Sequence, residues 1–451
     1  VTNPARRLFR QWVDVRPEEI RATLMAAAFF FLILTSYFIL RPIRDAMGVA
    51  AGVSKLPLLF LGTLSAMLVA QPLYAVLVAR TRVRRFIPVT YHFFAANLLC
   101  FFALQHFGSS NWAAWSGRAF FVWTSVFSLF VPSVFWSFMV DHFTPEQARR
   151  LFGFIGVGGT AGSLLGSAVT AALARALGPD HLLWLSALLV ELAVAVVLVF
   201  PARPPRKEEP AQAPARPLGG SAWEGFRQLT SSRYLGGIAG FLFLYTLGST
   251  ILYFQQADVV GKTFASPGAR TQVLAQLELG AQLVTLVTQL FFTAGVIRKA
   301  GVALTLMIMP ALSVLGFAAL GMSGFRWLPL FATLAVFTIL RRGSNFSLTN
   351  PAMEILFTVV DRSAKYKAKS FLETFVYRAG DQLAAWSYSG LTALGMSLGA
   401  IAWLAVPASV VFCALGAWLG RRQAAMARDG VSAGSPPPSK AATPGLVGLE
   451  G

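Results

Sequence analysis

Apolar stretches of about 20 residues recur along almost the whole chain, parted by short polar breaks, as in "LPLLFLGTLSAMLVAQPLYAVLV" from Leu56 and "HLLWLSALLVELAVAVVLVF" from His181. About 20 such residues cross a bilayer as a helix. In hydrocarbon the backbone has no water to bond, so a spanning segment must satisfy itself as a helix. The pattern predicts an all-α polytopic membrane protein with twelve transmembrane helices, near 22–45, 56–79, 86–106, 113–140, 151–175, 181–200, 234–256, 271–297, 301–322, 327–360, 368–396 and 400–420. Charged residues make up 13% of the 451, against about 25% in soluble domains. The first apolar stretch follows an arginine-rich segment and shows no small-residue cleavage site, so it reads as a span rather than a secretory signal. Cys100 and Cys413 both fall in apolar stretches and imply no disulfide framework.

A net charge of +19 suits nucleic acid as well as membrane, and its distribution decides between them. Most of the 38 Lys and Arg fall in the N-terminal segment, the alternate connections and the C-terminal tail. Six sit at the other helix ends: Lys55, Arg118, Arg175, Lys262, Arg270 and Arg326. A basic excess on one side marks the cytoplasmic face. The expected placement is the bacterial inner membrane with both termini cytoplasmic, and no nucleic acid is expected as partner. Five basic residues have no part in orientation: Arg41, Arg44, Arg341, Arg342 and Arg378 all interrupt apolar stretches.

Residues 201–233, rich in Pro, Ala and charge, read as a cytoplasmic linker. They part a six-helix bundle at 1–200 from a second at 234–422, and 423–451 read as a disordered tail. The halves echo each other. Asp45 answers Asp258, "RTRVRR" from Arg80 answers "RKAG" from Arg298, and "VDHFTPEQARRLFG" from Val140 answers "VDRSAKYKAKSF" from Val360. Two parallel six-helix repeats describe the major-facilitator architecture, whose substrate site lies between the halves at the midplane.

Charged side chains inside spans are costly and face a cavity or one another. Helix 1 carries Arg41, Arg44 and Asp45 around Pro42, a residue expected to kink or break the helix. Helix 10 carries Arg341, Arg342, Asn345 and Glu354. Helix 11 carries Arg378 and Asp381, three apart and able to pair. Arg341 and Arg342 are adjacent, point apart and have no acid within reach on their own helix. A surplus of cavity arginines predicts an anionic ligand, because the planar guanidinium binds phosphate or carboxylate through two oxygens. Interhelical pairing that only holds the bundle together is the competing reading of these charges. Asp141 with Arg149 or Arg150, and Asp361 with Lys367 or Lys369, recur at the same place in both halves and read as a cytoplasmic gate or as surface charge.

"GFIGVGGTAGSLLG" from Gly153 contains a GxGxxA pattern, but no strand precedes it, so close helix packing is the expected role. Glu191 and Glu278 lie within spans and read as paired or neutral carboxyls facing the bundle. The four histidines show no metal spacing, and the sequence lacks HExxH, Walker A and GxSxG motifs. No enzyme, metal or cofactor is expected.

Four stretches resemble the nucleotide (ATP/ADP) translocase family of plastids and intracellular bacteria, of major-facilitator type: "YFILRPIRDAMGV", "FWSFMVDHFTPEQARRLFGFIGVGG", "RRGSNFSLTNPAMEI" and "KYKAKSFLETFVYRAG". The pattern of a basic residue followed by S-L-x-x-P-x-x-E falls on Arg342, Ser347, Leu348, Pro351 and Glu354. The resemblance implies exchange of ATP for ADP through charged intramembrane residues, with the family's basic positions kept at Arg44 and Arg342. Two of its acidic positions fall on Thr124 and Tyr253, a lysine position falls on Asp381, and a basic position falls on Asn345.

The sequence therefore reads as a monomeric secondary-active transporter of an anionic, phosphorylated metabolite, with nucleotide antiport implied by resemblance. Arg44 and Arg342, with Arg41 and Arg341, would hold the anion. Tyr37, Tyr253 and Tyr377 offer rings to a base, and Asp45 and Asp381 would hold the arginines in an empty site. The alternatives are a proton-coupled carrier of another organic anion, using Glu191, Glu278 or Asp381, and a non-transporting membrane sensor.

Overall fold

The computed structural model describes residues 15–80, 83–201, 232–322, 329–360, 368–369 and 371–434. The segments 202–231 and 435–451 thus lie outside it, and with them nearly all of the expected linker and most of the expected tail.

The first six helices are α1 (Ile20–Ala51), α2 (Leu56–Arg80), α3 (Val83–His106), α4 (Ser110–His142), α5 (Pro145–Leu177) and α6 (Pro179–Leu198). After the linker come α7 (Arg233–Thr263), α8 (Pro267–Phe291) and α9 (Thr293–Gly321). The tenth segment, α10, begins as Leu330–Ser344, passes through a π-helical turn at Asn345–Thr349 and resumes as Asn350–Leu356. The eleventh, α11, enters through a π-helical turn at Leu372–Val376 and continues as Tyr377–Ala393, and α12 is Leu398–Gly434. Among the described residues ten helices are long and apolar enough to cross a membrane. The other two segments are α10 and α11, which carry the π turns and, together with α1 and α8, the intramembrane charges.

Local sequence sets the helix ends. Thr144-Pro145-Glu146-Gln147 opens α5 with reciprocal caps: the Thr144 Oγ1 accepts from the Gln147 amide at 3.3 Å, and the Gln147 side chain accepts from the Thr144 amide at 3.0 Å. Several helices outrun their apolar stretches. α1 continues to Ala51 rather than ending near residue 45, and α7 continues to Thr263. Pro42 does not break α1, which is helical throughout. Proline inside a spanning helix costs one backbone bond, and that loss is tolerated where neighbouring helices support the segment.

α1 and α5 are pressed together. A Cβ on Gly158, Gly162 or Gly166 would lie 2.4 Å from the carbonyl oxygen of Ala27, Phe31 or Thr35 respectively. Small residues every fourth position let two backbones approach this closely. The GxGxxA segment therefore packs, although Gly156 itself faces open space.

Helix pairings repeat with an offset of six: α1–α5 answers α7–α11, and α3–α6 answers α9–α12. One apolar core is drawn wholly from residues 15–200 and another wholly from residues 234–419. The halves meet along α5–α8 and α2–α11. A third apolar cluster, with Val49, Leu56 and Phe121 from one half and Phe254, Tyr388 and Ile401 from the other, joins them at the end where α1 meets α2.

Candidate functional site

A cavity of about 960 Å³ lies between the halves, lined by α1, α2, α4, α7, α10 and α11. At one end it stops at Phe60, Phe121 and Tyr253, against the apolar cluster that joins the halves. At the other it reaches Glu354, Phe357 and Lys369, where the Glu354 side chain is 58% exposed. All five arginines that interrupt apolar stretches line it. With Lys369 they make six basic lining residues against three acidic ones, Asp45, Glu354 and Asp381.

The arginines are engaged in different ways. Arg41 Nη1 donates to Glu278 Oε1 at 2.9 Å, and Arg342 Nη1 donates to Glu278 Oε2 at 3.0 Å. Glu278, on α8 and 3% exposed, thus bridges an arginine from each half, and Gln282 donates to the same carboxylate at 3.2 Å. Sequence separations of 237 and 64 residues hid this bridge, although an acid within a span was the signal for it.

Arg44 donates from Nε and Nη2 to Asp45 Oδ1 at 3.0 and 2.6 Å, and its guanidinium lies 5.2 Å from the centre of the Phe121 ring. Tyr253 Oη donates to the same Asp45 oxygen at 3.2 Å, crossing between the halves. Arg378 lies 3.8 Å from Asp381, whose other oxygen accepts from Thr250 Oγ1 at 2.9 Å. Thr124, at a position acidic in the resembled family, is buried and bonds the Phe120 carbonyl of its own helix.

Arg341 stands apart. It is 4% exposed and donates to Ser313 Oγ at 3.0 Å, Ser249 Oγ at 2.8 Å and the Tyr245 carbonyl at 3.1 Å. Among the described residues no carboxylate pairs with it. Neutral oxygens satisfy its donors but leave its charge uncancelled. Asn345 donates to Tyr245 Oη at 3.1 Å beside it.

The π turn of α10 positions these groups. Pro351 has no amide to return to the Ser347 carbonyl, four residues earlier. Thr293 Oγ1 on α9 donates to that carbonyl at 2.9 Å, and Gln289 Nε2 on α8 donates to the Phe346 carbonyl at 3.3 Å. Side chains from neighbouring helices therefore stabilise a turn whose freed carbonyls would otherwise go unpaired in the membrane. π turns of this kind often occur at functional sites.

The expected gate pairs come out differently. Arg150 makes a two-bond contact with Glu19, at 2.9 and 3.2 Å, so Glu19 rather than Asp141 holds it. Glu19 sits in the turn leading into α1 and comes closer than the end of α4, leaving Asp141 and Arg149 exposed. Lys369 contacts Glu354 at 2.5 Å. Asp361 and Lys367 lie outside the described residues.

No family model and no curated protein sequence matches the chain. Solved structures do. It is similar to a D-xylose-proton symporter, with TM-score 0.60 and 12% identity over 90% of this chain and 97% of that one. It is similar to an auto-inhibited POT family peptide transporter, with TM-score 0.58 and 16% identity over 90% and 97%. The nucleoside transporter NupG aligns with TM-score 0.54 and 16% identity over 92% and 100%. The chain has the major-facilitator fold. At these identities the likeness is one of architecture. The cavity between the two halves is where that fold places a substrate.

Proposed function

We propose that this protein is a secondary-active transporter of an anionic, phosphorylated metabolite, working by alternating access. The supporting observation is the six basic residues around one cavity, drawn from both halves, with Arg341 uncancelled. A cavity of this volume is within the usual range for small-molecule sites. In the empty state Glu278 pairs with both Arg41 and Arg342 and cancels one of their two charges. An incoming phosphate offers the same paired oxygens and takes the carboxylate's place, coupling one half to the other through the ligand. Arg44 is the second contact, with Asp45 as its resting partner, and Tyr37, Tyr253 and Tyr377 line the wall where a base would stack. Resemblance to the nucleotide translocases makes ATP/ADP exchange the first reaction to test.

With the basic connections on the cytoplasmic side of an inner membrane and both termini inside, the end sealed by Val49, Leu56, Phe254 and Tyr388 faces outward. The cavity then faces the cytoplasm. The Lys369–Glu354 contact sits at its mouth and is the gate element within the described residues.

The test uses the purified monomer in proteoliposomes. Labelled ADP uptake that requires ATP or ADP inside is the expected result. Uptake driven by a pH gradient without internal nucleotide would move the assignment to proton coupling. No flux of any phosphorylated compound, with no thermal stabilisation by any of them, would refute it.

A further inference from the structure

The sequence separates His106 from Asp180 and His181 by more than seventy residues, and the fold brings them together. His106 ends α3, and Asp180 and His181 sit in the first turn of α6. His106 Nδ1 lies 2.7 Å from Asp180 Oδ2, and His181 Nδ1 lies 3.4 Å from Asp180 Oδ1. One ligand atom from each of the three side chains lies within 4.8 Å of the others. We propose that His106, Asp180 and His181 form a binding site for a divalent transition-metal ion that ties α3 to α6.

A zinc-like ion takes imidazole nitrogen and carboxylate oxygen at about 2.0–2.2 Å, which in tetrahedral geometry sets ligand atoms about 3.3 Å apart. The two closest separations fall on either side of that value, so small side-chain rotations close the site. Two imidazoles and one carboxylate favour zinc, copper or nickel over magnesium or calcium, which prefer all-oxygen shells.

The ligands are held for this. The Phe102 ring stacks on His106 at 5.4 Å and 19°, and meets the His181 ring edge-on at 5.9 Å. The two imidazoles lie 5.1 Å apart and nearly perpendicular, at 81°. Gly178 has φ 85°, and a Cβ there would lie 2.6 Å from Asp180 Oδ1. The carboxylate thus reaches its position over a residue that must be glycine. The His106 and His181 side chains are 37% and 50% exposed, which leaves an entry path and an open fourth position.

Neither α3 nor α6 contributes a residue to the lining of the central cavity, so this site is separate from anion binding. Calorimetry on purified, tag-free protein stripped with chelator should show one Zn²⁺ bound per chain, with a rise in melting temperature. Co²⁺ should give the visible absorption bands of a low-symmetry nitrogen and oxygen site. His106→Gln, Asp180→Asn and His181→Gln should each weaken Zn²⁺ binding by at least about tenfold, as losing a ligand contact does, while anion stabilisation stays as in the parent. Zn²⁺ binding unchanged in a His106→Gln/His181→Gln double variant would overturn the assignment. So would parent protein that takes up no Zn²⁺ at micromolar concentration.

Discussion

Glu278→Gln separates a brace from a competitor. Glu278 accepts from Arg41 at 2.9 Å and from Arg342 at 3.0 Å, at 3% exposure. Each charge-assisted bond is worth about 1.5–3 kcal/mol. The amide keeps one acceptor oxygen and loses the charge, so at least one of these bonds goes. Breaking a buried pair leaves a charge uncompensated, at about 3–5 kcal/mol, and the melting temperature of the ligand-free protein should fall. An anion no longer has to displace a carboxylate. Its affinity should therefore rise by about 10- to 150-fold for one bond relieved. The assay is thermal shift in detergent against ATP, ADP and inorganic phosphate, checked by calorimetry. A lower ligand-free melting temperature with unchanged or weaker anion affinity would refute displacement and make Glu278 a fixed brace. An unchanged melting temperature would mean the bridge does not form. Should the amide variant fail to express, Glu278→Asp keeps the charge and shortens the reach, and a lower melting temperature is again expected.

Arg44→Gln should weaken anion binding by about 10- to 150-fold through loss of one charge-assisted contact, and Arg44→Lys should restore part of it, since charge returns without the fork; parental affinity in the glutamine variant would make the residue structural. Arg341→Met removes three contacts donated by a charged group, although Ser313 Oγ keeps its bond to the Met309 carbonyl, so thermal stability should fall by about 1–3 kcal/mol, and a variant as stable as the parent would show that those contacts carry nothing. Gly162→Ala drives a methyl to 2.4 Å from the Phe31 carbonyl and should destabilise by about 1–3 kcal/mol, whereas Gly156→Ala, facing open space, should not. Equal melting temperatures for the two alanine variants would contradict the α1–α5 packing. Residues 1–200 and 234–451, co-expressed as separate chains, should co-purify, because each half has its own apolar core.

The helices were legible because a bilayer admits so few backbone solutions, and apolar length alone marks most of them. Setting aside the basic residues at the helix ends, connections and tails isolates Arg41, Arg44, Arg341, Arg342 and Arg378, and all five line one cavity. Their partners were less legible. Arg378–Asp381 follows from spacing along a helix, whereas Asp45 could have met Arg41, four residues away, as readily as its neighbour Arg44. Glu278 holding arginines on two other helices, or three neutral oxygens around Arg341, depend on tertiary packing. Pro42 misled because proline's local penalty is small beside the support of a packed bundle, and among the described residues the helical irregularities fall instead at Gly301, Asn345–Thr349 and Leu372–Val376. The His106, Asp180 and His181 cluster had no sequence signal, since its members meet only through the α3–α6 contact.

The irregular turn at Asn345–Thr349 fixes more than local shape. An α-helix advances about 100° per residue, and a π turn absorbs one residue beyond that rhythm. Everything from Pro351 onward therefore points about 100° away from where an uninterrupted helix would aim it. Deleting a single residue from the turn would restore the α-helical rhythm and keep the composition nearly intact. Glu354 and Phe357 would then stay on the cavity wall with Arg341 and Arg342, whereas closing the turn into α-helix without losing a residue would swing them off it by about 100°. The turn works as a phase setter between the upper and lower parts of one wall, so this stretch should accept a one-residue deletion that removes the turn and reject an insertion, which would rotate Glu354 and Phe357 by about 100°.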